Sequence, residues 1–243
     1  RFRHLLIRDA AYDAIPKRER ADLHQAFAGW LERVAGERVA EQEEILGYHL
    51  EQAYRLRLEL GSKDDRGPEL ATAAAEHLAA AGSRSYARGD TVGAITLFSR
   101  AVDLLPGTDP ERVRHGIELG ISLAWGGREV RAIEVLGEAN EAATAIGDLG
   151  LAMHASLPLT DIRSWREPPA WLELKPVAER AIEVFEPAGD DAGLAHAWYL
   201  LAWDHNIRFH FAEKDRAVLR GLSHAEPAGD RRLRAQLLSM WCG

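Results

Sequence analysis

The residues that could carry chemistry here are ten histidines, one cysteine and 38 carboxylates, so their spacing decides what they could do. No two histidines stand three or four residues apart and no His-Glu-x-x-His occurs, so no helix would present a ready pair of zinc ligands. The nearest grouping is Asp204, His205, His210 and Glu213, which a helical hairpin would gather at its turn. Such a group could hold a metal or move a proton. The plainer expectation is that His205 is a packed, hydrogen-bonded core residue and that His210 is solvated. His24, His49 and His77 fall on amphipathic segments and are expected to be structural. Cys242 follows Met240 and Trp241, an apolar setting that raises a thiol pKa and does not make a nucleophile. A single cysteine also excludes an internal disulfide, in keeping with a reducing, cytoplasmic compartment.

Phosphate chemistry has no foothold. A P-loop needs glycines that bare backbone N–H groups and a lysine that reaches the phosphates, and the chain has no Gly-Lys pair. No two of its 21 glycines are spaced i, i+2, so a Gly-x-Gly-x-x-Gly fingerprint is absent too. We therefore expect no catalytic residues, no cofactor and no metal in this chain. The net charge of -8, with acidic residues in excess after residue 66, disfavours direct nucleic-acid binding. The longest strongly apolar run, 197–203, is far below the roughly 20 residues that span a bilayer. The chain opens at Arg1 inside a continuing element and closes just after an apolar helical run, which reads as an excised fragment.

The elements that must position any site are helices. Ala, Leu, Glu and Arg dominate, prolines sit mostly between periodic segments, and about twelve helices can be drawn. From Glu19 to Ala35, Leu23, Phe27, Trp30, Leu31 and Val34 recur as one apolar stripe, expected to be buried against a neighbour. Repeats follow. Small residues late in every second helix, Ala101, Ala139, Ala181 and Gly221, are spaced about 40 residues apart. A Gly-Asp pair follows each of the last three, at Gly147-Asp148, Gly189-Asp190 and Gly229-Asp230, and two of these lie in the identical phrase Glu-Pro-Ala-Gly-Asp. The spacing predicts an all-α fold over 67–243: about four and a half helical hairpins stacked into a right-handed superhelix, with turns near Gly89, Gly127, 166–169 and Phe209.

Leu78, Gly82, Ala94, Phe98, Ala101 and Pro106 resemble the tetratricopeptide repeat, and Trp198, Leu201 and Ala202 match its first-helix positions in a later unit. The units are longer than the family's 34 residues, and Leu174 and Lys214 stand where it places alanine. A second resemblance covers 1–66. Phe2-Arg-His4, Arg8-Asp-Ala-Ala-Tyr12, Arg20 with Leu23-His24, and Tyr48-His49-Leu50-Glu51-Gln52-Ala53 look like the stretch joining the ATPase module of STAND-type signalling ATPases to their helical repeats. Those regulators are often fused to nucleotide cyclase or LuxR-type DNA-binding domains. The resemblance implies the end of a winged-helix domain, a helix over 4–15, a capping hairpin near 17–35 and 41–60, a mobile strand remnant at Phe2, and an upstream ATPase domain in cis.

Six of seven tryptophans lie between Trp125 and Trp241. Registering the fourth unit on Trp198, a packing position, sends Tyr199, Trp203, Asn206 and Ile207 toward the concave groove, with Trp125 and Trp165 at equivalent late first-helix positions. Large aromatics with a few polar neighbours suit a protein or peptide partner, or a small apolar effector. The same side chains could instead only plug a tight superhelix. The expected function is a non-catalytic sensor or protein-interaction arm of a larger bacterial signalling ATPase. The alternatives are a small-molecule-binding or hydrolytic enzyme built on Asp204, His205 and His210, and a purely structural spacer.

Overall fold

The computed structural model describes residues 5–61 and 66–241, with backbone alone at 5–8. Twelve α-helices fill the described residues: α1 (Leu5–Asp13), α2 (Lys17–Ala35), α3 (Glu43–Glu59), α4 (Arg66–Ala87), α5 (Thr91–Leu104), α6 (Pro110–Trp125), α7 (Glu129–Ile146), α8 (Leu149–Arg166), α9 (Leu174–Ala188), α10 (Asp191–Ile207), α11 (Phe211–Ala228) and α12 (Arg231–Trp241). Short 3-10 turns precede α3 and α9, and no strand occurs among the described residues. The helix expected over 4–15 is α1. The strand remnant at Phe2 lies outside the described residues, as do Cys242 and Gly243.

The Gly-Asp pairs explain the punctuation. Gly89, Gly147, Gly189 and Gly229 all have φ between 65° and 85°, a left-handed conformation that glycine adopts without a Cβ clash. Asp90, Asp148, Asp190 and Asp230 each cap the following helix, their carboxylates accepting the N–H of Gly93, Leu151, Gly193 and Leu233. Each aspartate N–H closes the preceding helix on a carbonyl five residues back, at Ser85, Ala143, Phe185 and Ala225. One dipeptide therefore ends one helix and starts the next. The other three expected turns fall at Gly127, at 167–169 and at Phe209, whose φ is 60°. All four expected turns are present.

The small-residue ruler marks close approaches. Ala101, Ala139, Ala181 and Gly221 are buried, and a Cβ on Gly221 would stand 2.9 Å from Leu237 Cδ2. Gly82 faces the Phe98 ring in the hairpin of α4 and α5, where a Cβ would sit 3.2 Å away. Lys214 departs from the alanine pattern by reaching across: its Nζ donates to Met240 O at the carbonyl end of α12, where a cation is favoured by the helix dipole. Leu174 is simply core.

Contacts divide the chain into two compact units, 1–122 and 123–243, and α4 packs directly on α3 within the first. The first unit has its core around Leu46, Leu78 and Phe98, and the buried Glu51 of α3 accepts from Arg55 and from Arg100 of α5. The second has a core including Leu157, Leu174, Phe185, Leu200, Val218 and Leu237.

One expectation is overturned. The α2 stripe is not buried: Leu23, Phe27, Trp30 and Val34 are 38–60% exposed, and Leu31 is half-buried. α2 packs on α3 through Ala21, His24 and Ala28 instead, because small residues allow close helix approach and that leaves the bulky seam on the exposed flank of the contact.

Candidate functional site: an aromatic and acidic face in the second unit

The caps at Asp148 and Asp190 set where α8 and α10 begin, and the two first helices touch directly. His154, Asp161 and Trp165 recur on one side of α8 at helical spacing, and His196, Tyr199, Trp203, Asn206 and Ile207 on one side of α10. The two rows meet. Trp165 and Trp203 are stacked, ring centroids 4.3 Å apart and planes 25° off parallel. Trp165 is 63% exposed, so its other face is open, while Trp203 is half-buried against the core.

Beneath the exposed ring, Asp161 Oδ1 accepts from Trp165 Nε1 at 3.4 Å. Surrounding protein pushes the Asp161 carboxyl up to about 6, only partly offset by that indole bond. Tyr199 is buried in the core, and its hydroxyl is pushed up by burial and by the charge of Asp161. It forms a wall of the site from within, so a partner would meet the surrounding rings first. Farther along, burial pushes His196 down to about 4, against the pull of Asp230. The His154 ring lies on Phe185 and shares a 2.7 Å hydrogen bond between its Nε2 and Asp190 Oδ2. Burial would raise the Asp190 carboxyl, but the N–H groups it caps and His154 together hold it below the usual range.

Trp165 and Trp203 are thus brought together, with Asn206 and Ile207 half-buried beyond them. Trp125 is half-exposed and carries the Arg232 guanidinium 5.4 Å from its ring centroid. Trp198 packs on the core. Asp161, His154 and His196 escaped sequence reading, although Asp161 stands four residues before Trp165 and so shares its face.

The Asp204 neighbourhood makes a poorer site. Asp204 is 1% exposed, with Oδ2 accepting from Arg208 Nε at 2.8 Å. Its Oδ1 and the Nδ1 of His205 are buried without a hydrogen-bond partner, so the hydrogen-bonded role expected of His205 is not met at that atom. Burial pushes His205 down, and His210 is exposed, its ring 6.1 Å from that of His205. No group of three or more His, Cys, Asp or Glu among the described residues could hold a metal ion. No described helix is long and apolar enough to cross a membrane.

In the first unit, His24 and His49 face each other Nδ1 to Nδ1 at 2.8 Å, and the Tyr12 hydroxyl meets His24 Nε2 at 2.8 Å. A mostly apolar cleft of about 360 Å³ lies beside Tyr54, Leu58, Pro68, Ala71, Leu104 and Pro106.

No family model matches the chain, and no curated protein matches it in sequence. Among solved structures it is similar to the crystal structure of aspartyl phosphate phosphatase F from Bacillus subtilis, at 14% identity and a TM-score of 0.53. The likeness covers 86% of this chain and 58% of that one, so this chain spans little more than half its length. The chain is an all-α protein of tetratricopeptide-like helical hairpins.

Proposed function

We propose that the chain is a non-catalytic interaction module that docks a peptide or protein partner on the aromatic face of α8 and α10. The observation that carries this reading is the stacked Trp165–Trp203 pair above the carboxyl of Asp161. The open face of Trp165 offers an apolar platform, and a basic side chain stacked there would find both a ring and an acid. Burying one such ring against a partner contributes on the order of 2 kcal/mol, more than tenfold in affinity. The fold likeness to a helical-repeat aspartyl phosphate phosphatase supports the scaffold role at the level of architecture. The residues of 1–66 support a place in cis to a STAND-type ATPase, where a docked partner would bias the attached module through differential binding. The sequence has no Gly-Lys pair for a P-loop, so ATP turnover would belong to that module.

A selection of random twelve-residue peptides on the purified chain tests the reading. Enriched peptides should carry basic and apolar residues. Trp165→Ala should weaken them at least tenfold with an unchanged melting temperature, because that ring is mostly exposed. Enrichment indifferent to Trp165→Ala would overturn it. A second reading, a small apolar effector, is favoured by the 360 Å³ cleft of the first unit, within the size range of small-molecule pockets. Binding of apolar effectors lost in Leu58→Asp, whose side chain is exposed at the cleft, but kept in Trp165→Ala would select it.

A further inference from the structure

The α2 seam invites an explanation that the groove does not supply. Leu23, Phe27, Trp30 and Val34 follow one another at spacings of four, three and four residues, the register of a coiled-coil seam over two heptads. Ile45 and Tyr48 of α3 lie alongside, both 45% exposed. The patch is continuous: Phe27 is 5.5 Å from Trp30 and 4.4 Å from His49 between ring centroids, and the His49 ring is 5.2 Å from that of Tyr48. Six large side chains that are each 38–60% exposed leave on the order of 500 Å² of apolar surface, taking about 200 Å² for each when bare. That matches the largest patches seen on monomers, roughly 300–600 Å², which are often functional. It also matches the apolar share of one side of a standard interface of about 800 Å².

We infer that this face is the two-fold interface of a homodimer, in which α2 packs antiparallel on α2 of a second copy. The seam is self-complementary. A two-fold axis between Phe27 and Trp30 sets Trp30 against the partner's Phe27, and Leu23 against the partner's Val34. Large rings meet at the centre and branched aliphatic side chains at the ends. Antiparallel packing also sets the two helix dipoles in opposition, each N-terminal end beside the partner's C-terminal end. The exposed charges that flank the seam are of both signs, Glu19, Arg33 and Glu44. Although the chain carries -8, no field of one sign therefore opposes a second copy here or selects a partner of opposite charge. His24 lies beneath the seam and is pushed down to about 4 chiefly by burial, so it adds no charge to the interface at neutral pH.

Sedimentation of the whole chain carrying Cys242→Ser tests this, with crosslinking as the second arm. Twice the monomer mass is expected at micromolar concentration. Trp30→Glu should weaken the dimer at least a hundredfold while helix content and melting of the monomer persist, since the ring is half-exposed there. In the antiparallel register, a mixture of Leu23→Cys and Val34→Cys chains should form the mixed disulfide. Leu23→Cys alone should not, its two copies lying about 16 Å apart along the seam. A chain that stays monomeric at 200 µM (roughly the top of the working range), a dimer indifferent to Trp30→Glu, or efficient crosslinking of Leu23→Cys alone would each overturn the proposal.

Discussion

Replacing Asp161 with asparagine should stabilise the protein at neutral pH. Its folded pKa of about 6 lies above the ordinary value of 3.8, so the folded state favours the neutral acid. The cost of ionising it in place is absent below pH 4, grows as pH rises from about 4 to about 6, and is full above that. Two pKa units correspond to about 3 kcal/mol. Part of the side chain remains accessible, and solvent screening trims that to about 2 kcal/mol. The substituted amide would keep an oxygen for Trp165 Nε1 without the charge. In a domain of this size, about 2 kcal/mol raises Tm by about 4–8 °C. Thermal unfolding of the wild type and Asp161→Asn from pH 4 to 8 measures this directly. The two should melt together below pH 4, diverge as pH rises from about 4 to about 6, and keep a constant separation above that. A pH-independent difference, or a loss of stability at pH 7.5, would refute the claim that Asp161 is a partly buried acid held for a partner. The same variant should lose preference for basic peptides, a stability gained at the expense of recognition.

Three further outcomes follow from packing and protonation. A Cβ on Gly193 would stand 2.5 Å from Phe185 Cδ2, so Gly193→Ala should cost about 1–3 kcal/mol in chemical denaturation. Gly137, within α7 and facing open space, should gain about 0.5–1 kcal/mol from the same change. His24 is pushed down to about 4 chiefly by burial, then by His49 and Arg20, so its contribution is intact above pH 6.5 and lost as pH falls toward 4. Solvent screening trims the full shift to about 2 kcal/mol of acid sensitivity, which should disappear from the stability profile of His24→Gln, and a profile unchanged by that substitution would count against the assignment.

Punctuation was legible in the linear chain because its causes are local. A glycine that turns left-handed and an aspartate that caps the next helix act within five residues, so Gly189-Asp190 and Gly229-Asp230 announce their turns before any packing is considered. The ruler of small residues was legible for the same reason: close helix approach selects the residue itself, as at Ala181 and Gly221. Which side of an amphipathic helix is covered is a different matter. The stripe of α2 has the periodicity of a buried face, yet α3 takes the alanine side, because the depth of helix approach depends on both helices at once. The aromatic site divides in the same way. Trp165 and Trp203 could be picked out by residue type, but their stacking depends on how α8 and α10 sit side by side. Asp161 and His196 owe their shifted protonation to surrounding protein that no spacing in the chain encodes, since desolvation is set by every neighbour in space and by none in particular along the sequence.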